Sequence, residues 1–361
     1  MARLARREMI DPSEVQVLHA VSRCVRRAFL CGDDPVSGES YEHRRQWIRD
    51  RLEFLASVFG IDCLTYAIMS NHIHVVLRSR PDVVATWNDE EVARRWLRLF
   101  PVRREKDGSP AEPTEAEIMM LVNQPDVLAE RRRRLSDISW WMRCTTEHIA
   151  RRANREDRCT GHFWEGRYKC QLLLDEASLL ACAAYVDLNP VRAAMAETPE
   201  SSLYTGAKDR IDDLSGDASR KKASRKKIHD RERKGVGPRS GWLAPVEVDE
   251  STDPVGPDAC DSSRRASRRG LFTGVSLVSY LELLDWTGRQ LRGDKRGSIP
   301  DHLSPILQRI GLDAPDWCDL VKKFGRTFKR MAGTTEHLAE EASRRGRRWV
   351  QSPGNPLTIA S

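Results

Sequence analysis

The spacing of apolar and polar residues changes period several times in the first eighty positions, and each change predicts a different element. VQVLHAVS (15–22) mixes β-branched and polar residues at a period near two and reads as a first strand. RCVRRAFLCGDDPVSGES then reads as a basic turn and loop. In YEHRRQWIRDRLEFLASV (41–58), Trp47, Leu52, Leu55 and Ala56 recur at helical spacing with charge on the other side, and Gly60 marks the end. IDCLTYAI (61–68) and HIHVVLRS (72–79) are short apolar runs on either side of MSN. Ser70-Asn71 can supply the turn between two adjacent antiparallel strands.

Residues 80–133 interrupt this pattern with a Pro-, Gly- and Glu-rich centre between apolar pieces, which predicts an insertion of one or two helices. In 134–153 an apolar stripe of Leu135, Ile138, Trp141, Thr145 and Ile149 predicts a helix. GHFWEGRYKCQLLL (161–174) reads as a loop entering a strand. EASLLACAAYVDL (176–188) reads as a helix that stops at Asn189-Pro190 or continues briefly through VRAAM. Between 209 and 270 aromatics are scarce and Gly, Pro, Ser and charge dominate, so a basic linker without stable order is expected. Short helical patterns return from 276 onward and predict a small helical domain over 271–350. No repeat of fixed period is present. The chain thus divides into a main domain at 10–208 with its insertion at 80–133, a linker at 209–270 and the helical region.

Composition narrows the function classes. Over 361 residues, 40% hydrophobic and 31% charged residues fit a soluble chain that can bury a core. No apolar stretch reaches the roughly 18 residues of a membrane span, so no membrane partner is expected. The nine cysteines are scattered and form no CxxC pair. This excludes a cysteine zinc site and predicts free thiols in a reducing, cytoplasmic setting. The net charge of +7 favours an acidic partner only modestly, but its distribution says more: residues 220–239 hold ten Lys or Arg against Asp230 and Glu232. Such a run binds nucleic acid through charge with strong salt dependence, or merely solubilises a linker. No Walker motif is present.

Two spacings carry candidate chemistry. In Asn71-His72-Ile73-His74, strand alternation sends His72 and His74 to one face, where two imidazoles can grip one metal ion; two polar residues on a half-exposed face is the plainer reading. Tyr185 and Asn189 stand one helical turn apart and so share a face. Asn189 can offer an amide oxygen to the ion and Tyr185 a hydroxyl beside it. Alternatively Tyr185 packs and Asn189 caps the helix before Pro190.

MSNHIHVVL, GHFWEGRYKC and AAYVDLNPVRA, in that order after HAVSRCVRRAFL, resemble the tyrosine transposases of the insertion-sequence 200 type, in the histidine–hydrophobe–histidine superfamily. The similarity covers roughly residues 10–205 and is greatest to the branch associated with repetitive extragenic palindromes. It implies an α+β fold: a ferredoxin-like antiparallel sheet with helices on one face. It further implies that His72, His74 and Asn189 hold Mg²⁺ or Mn²⁺ and that Tyr185 is the nucleophile. A phenol is a weak nucleophile while it keeps its proton, so it needs activation. Its attack on single-stranded DNA would leave a 5′-phosphotyrosine and a free 3′-OH. The bond energy is retained in that link, so rejoining needs no ATP.

The resemblance also implies hairpin-forming DNA as partner and association with the nucleoid when DNA is bound, and it leaves monomer and homodimer both open. Candidate DNA contacts are Arg26, Arg27, Arg167 and Lys169, with the last two on one face if 166–173 is a strand. His162 and Trp164 lie in the loop before them, and Trp164 either stacks on an unpaired base or joins the core. The alternative function is a protein of the same fold that binds DNA or RNA hairpins without cutting them.

Overall fold

The computed structural model describes residues 10–25, 30–34, 38–222, 238–249, 269–291, 302, 304–309, 312–328 and 330–346. Its centre is a sheet in the order β2-β3-β1-β4-β5. Strand β1 (Val17–Arg23) leads through α1 (His43–Val58) to β2 (Ile61–Ile68) and β3 (His72–Ser79). A helical excursion follows: α2 (Pro81–Thr86), α3 (Asp89–Leu99), α4 (Glu115–Val122), α5 (Pro125–Arg134) and the long α6 (Ile138–Glu156). The chain returns to the sheet as β4 (Lys169–Leu173). The first four strands pair antiparallel. With α1 and α6 as crossovers this is the expected ferredoxin-like α+β arrangement. The insertion holds four short helices, more than its broken hydrophobic pattern predicts. Caps the pattern does not weigh begin two of them: Asn88 before α3, and a Thr114–Glu117 capping box before α4.

Strand alternation divides the core. Leu18, Ala20, Ile73, Val75 and Leu77 pack under Ile48, Leu52 and Leu55 of α1 and Trp141 and Ile149 of α6. Val76 and Leu173 point to the other face, which the sequence left uncovered. There they meet α7 (Glu176–Asp187). This helix buries Leu179 through Ala184 almost without interruption, which is why its sequence carries little amphipathic contrast. A short α8 (Asn189–Arg192) continues it. Pro190 fits that first turn because no helical partner is needed there for the missing N–H.

Behind α7, the C-terminal helices complete the same core. Helix α9 (Gly206–Lys222) is followed by α10 (Leu277–Leu291), α11 (Ser304–Arg309), α12 (Ala314–Thr327) and α13 (Thr335–Arg344). Tyr280 and Leu284 of α10 and Trp317, Val321 and Phe324 of α12 are fully buried in the apolar cluster that α7 enters. Between α12 and α13, β5 (Met331–Ala332) joins the sheet parallel to β4. Across the sheet, Ala244 N–H donates to Cys63 O of β2 at 2.9 Å. β5 thus extends the sheet beyond β4, and the chain at Ala244 meets the β2 edge at Cys63.

Part of 209–270, expected as a linker, is built into the fold. Asp209 on α9 is fully buried, accepting from Arg49 Nε at 3.1 Å and from Tyr66 Oη at 2.8 Å. Trp242 packs beside Tyr66, with ring centres 5.2 Å apart. Burial here runs through ion pairs and single aromatics, which a composition average does not reveal. Residues 223–237 and 250–268, with most of the basic run, lie outside the described residues, as do Arg26 and Arg27. Among the described residues no helix is long and apolar enough to cross a membrane.

One carboxylate seats α7. Asp187 is fully buried and accepts from Thr65 Oγ1 of β2 at 2.6 Å, from Tyr280 Oη of α10 at 2.6 Å and from the Ala207 N–H of α9 at 3.1 Å. Burial pushes its carboxyl pKa up. Replacing it by Ala would strand three buried donors, each costing about 1–3 kcal/mol. We therefore expect Asp187→Ala to destabilise the fold by roughly 3–5 kcal/mol in urea titrations. Asp187→Asn keeps most acceptor capacity without a buried charge and is expected to cost about 1 kcal/mol or less. Equal losses for the two variants would refute this account.

Candidate active site

The alternation that buries Ile73 under α1 and α6 turns His72 and His74 toward α7 and α8. Their ring centres are 4.8 Å apart. Tyr185 and Asn189, four residues and about one turn apart, share the side that faces β3, and Asp187, about half a turn from each, anchors the helix between them. Asn189 is 8% exposed, and its side-chain nitrogen lies 2.9 Å from His74 Nε2. The Tyr185 ring stands edge-on to His74 with centres 5.7 Å apart. Four side chains, two from β3 and two from α7 and its continuation α8 more than a hundred residues later, thus converge on one spot, bringing together the two spacings singled out in the sequence.

A further ring joins them. His19 of β1, 4% exposed, sits beside His74 with Nε2 2.8 Å from His74 Nδ1, and its ring centre is 6.0 Å from that of Tyr185. No spacing marks it, because a lone histidine in a first strand has no partner at a fixed interval. His72 pKa is pushed down to about 4 by burial, helped by Arg23 and His19, and burial takes His19 to about 4. Burial likewise holds His74 well below the ordinary imidazole value. All three rings are therefore neutral near pH 7, and each keeps a nitrogen lone pair.

These donors suit a divalent ion of intermediate hardness: two neutral imidazoles and one amide, whose oxygen and nitrogen can exchange places by rotating the group. Among the described residues, no group of three or more His, Cys, Asp or Glu is placed to hold a metal ion. The Asn189 amide, beside His74 Nε2, is the polar group there that could serve as a third donor.

Tyr185 is half-buried, and the C-terminal region forms its wall. Phe324 lies 5.7 Å from it, ring centre to ring centre. The backbone of Gly325 comes so close that a Cβ there would stand 2.7 Å from Tyr185 Oη. On the other side, the Arg192 guanidinium lies over the Tyr185 ring at 4.6 Å and donates to Lys322 O at 2.6 Å. Arg192 was visible only as part of the NPVR string, and Phe324 and Gly325 carried no signal at all.

The candidate DNA contacts scatter more widely. Lys169 opens β4 opposite Val21, which itself pairs with His74, so Lys169 stands on the same sheet face as the site. Arg167 is exposed but precedes the strand, so the expected alternation with Lys169 does not apply to it. His162 is exposed in the loop. Trp164 packs beside the α1/α6 core and donates its indole N–H to Thr146 O at 2.8 Å, while the Glu165 N–H bonds to Arg23 O at 2.9 Å. That loop therefore runs along the end of β1 beside His72.

No protein-family model matches the chain, and no curated protein matches it. Among solved structures, one of a REP-associated tyrosine transposase bound to a REP hairpin is similar at 10% identity and a TM-score of 0.34, over 60% of this chain and 86% of that one.

Two outcomes follow from the geometry. Gly325→Ala gains about 1 kcal/mol of helix propensity but meets the phenol, an overpacking cost of about 1–3 kcal/mol. The ring must shift, so nitration of Tyr185 by tetranitromethane, read by peptide mass spectrometry, is expected to accelerate severalfold; an unchanged rate would refute the close packing. The second outcome concerns pH. The unfolded chain protonates His19 and His72 near 6.5, the folded protein only near 4. Stability is therefore full above 6.5 and is lost as pH falls through that interval. Thermal melts of the metal-free protein should show this loss, with a shallower slope in His72→Gln.

Proposed function

We propose that the chain cleaves and rejoins single-stranded DNA at hairpin-forming sequences, with Tyr185 as nucleophile. The observation that carries the proposal is the convergence of Tyr185 and Asn189 with His72 and His74 across the face between β3 and α7. A structural core has no need of three neutral imidazoles, an amide and a phenol in one half-buried spot.

In this reading Tyr185 Oη attacks the scissile phosphorus, and its proton passes to water. The bond to the 3′-oxygen breaks, leaving a 5′-phosphotyrosine and a 3′-hydroxyl that has taken up a proton. Attack by a 3′-hydroxyl reverses the step and joins the strands. Mg²⁺ or Mn²⁺ held by His72, His74 and the Asn189 amide oxygen would neutralise charge on the phosphate oxygens. Arg192, lying over the phenol ring, would offer its remaining N–H donors to the phosphate. Lys169 and Arg23 extend positive charge along the same side of the sheet, where the adjoining backbone phosphates would run.

One observation favours a second reading, a hairpin-binding protein that does not cut. The Tyr185 hydroxyl rests against Gly325, as a packed tyrosine would. Labelled hairpin-bearing single-stranded DNA, incubated with Mn²⁺ or with EDTA, separates the two. We expect a covalent adduct that survives detergent, appears only with Mn²⁺, and falls by about 10³-fold or more in Tyr185→Phe. An adduct that persists in Tyr185→Phe would overturn the assignment. Tight hairpin binding with no adduct under any condition would establish the second reading.

A further inference from the structure

His19 belongs to neither recognised spacing, yet it is as deeply buried as His74, and Gln171 stands behind it. The three residues lie on adjacent strands β3, β1 and β4 and point to one face; His74 and His19 are 4% exposed and Gln171 5%. His19 pairs directly with Gln171 in the sheet register, and its Nδ1 is 3.4 Å from Gln171 Oε1. The two imidazole planes differ by only 10°, and their centres are 5.1 Å apart. With Nε2 and Nδ1 2.8 Å apart, that separation is close to the contact distance plus the two ring radii. The rings therefore lie side by side, joined by one in-line N–H···N hydrogen bond.

A hydrogen bond between two neutral imidazoles holds one proton, so the row has two possible orders. In the first, His74 carries its proton on Nδ1 and donates to His19 Nε2, while His19 Nδ1–H donates to Gln171 Oε1. His74 Nε2 then keeps its lone pair, facing Asn189. In the second, both rings carry the proton on Nε2, and His74 has no lone pair to offer there. Two amides agree on the first order: Gln171 turns its oxygen to His19 Nδ1, and Asn189 turns its nitrogen, a donor, to His74 Nε2 at 2.9 Å. His72 reaches the same state independently: its Nδ1 meets Asn71 Oδ1 at 2.6 Å, an acceptor that holds the proton on Nδ1 and frees Nε2.

We infer that His19, backed by Gln171, is a positioning residue that holds the Nδ1–H tautomer of His74 and so keeps its Nε2 open toward Asn189 and Tyr185. This role rests on the reading of His72, His74 and Asn189 as ligands of a divalent ion. Partners of this kind, touching only the far nitrogen of a ligand, typically alter metal affinity by about 10–100-fold.

The test has two readouts. Long-range ¹H–¹⁵N spectra of the metal-free, ¹⁵N-labelled protein at neutral pH report the tautomer of His74. Electron paramagnetic resonance of free Mn²⁺ reports affinity. We expect Nδ1–H at His74 in the unaltered chain. In His19→Leu and Gln171→Met we expect a mixture of tautomers and Mn²⁺ binding weaker by about 10–100-fold. His19→Gln, whose amide oxygen can stand in for Nε2, is expected to retain both. An Nε2–H tautomer in the unaltered chain, or one untouched by His19→Leu and Gln171→Met, would overturn the inference. If His74 shows the expected tautomers in every form but none binds Mn²⁺, the proton order stands, and the ligand reading fails together with the positioning role built on it.

Discussion

The site depends on how one helix is seated. Two of its four groups come from a strand and two from a helix, and the strand is fixed by its ladder on both sides. The helix has no ladder. Its position rests on a packed apolar surface, which tolerates sliding, and on Asp187, which does not. Three hydrogen bonds from β2, α9 and α10 meet at that carboxylate. Tyr185 and Asn189 lie on either side of it along the helix, so the clamp sets the height of both above β3. A buried charge there is costly, and the raised carboxyl pKa expresses that cost. What it provides is a unique registration of helix on sheet, which small alanines and leucines alone would leave degenerate.

Much of this was legible in the residues, for identifiable reasons. The strands at 61–68 and 72–79 are short, apolar and bounded by turn residues, and they form over those spans. The shared faces of His72 with His74 and of Tyr185 with Asn189 follow from fixed periods of strand and helix. That these faces meet is a tertiary fact, and periodicity is silent on it. His19 was invisible for the same reason: its partners stand on other strands, 55 and 152 residues away. Composition misled at 209–222 and 238–249, where an average over charge and glycine hid Asp209 and Trp242, two residues that are fully buried. The cover over the second sheet face was missed because α7 has no polar side to announce a neighbour.

The C-terminal helices bear on the site directly. They supply Tyr280 to the clamp, Phe324 and Gly325 to the wall around Tyr185, and Lys322 O to Arg192. A region that looks like an appendage in sequence therefore shapes the environment of the phenol. Glycine at 325 is the residue that permits so close an approach between α12 and an aromatic ring.

The pairing of β5 with β4 has a consequence for the order of assembly. All four antiparallel strands and α7 precede residue 190, and their contacts can form while the rest of the chain is still being made. The strand that closes the β4 edge, and the helix beside Tyr185, come more than a hundred residues later. During synthesis the chain therefore passes through a stage in which sheet and helix are present with one edge open and the phenol uncovered. Closing it joins β4 to a strand well over a hundred residues further on, and contacts of such long sequence separation are slow to form.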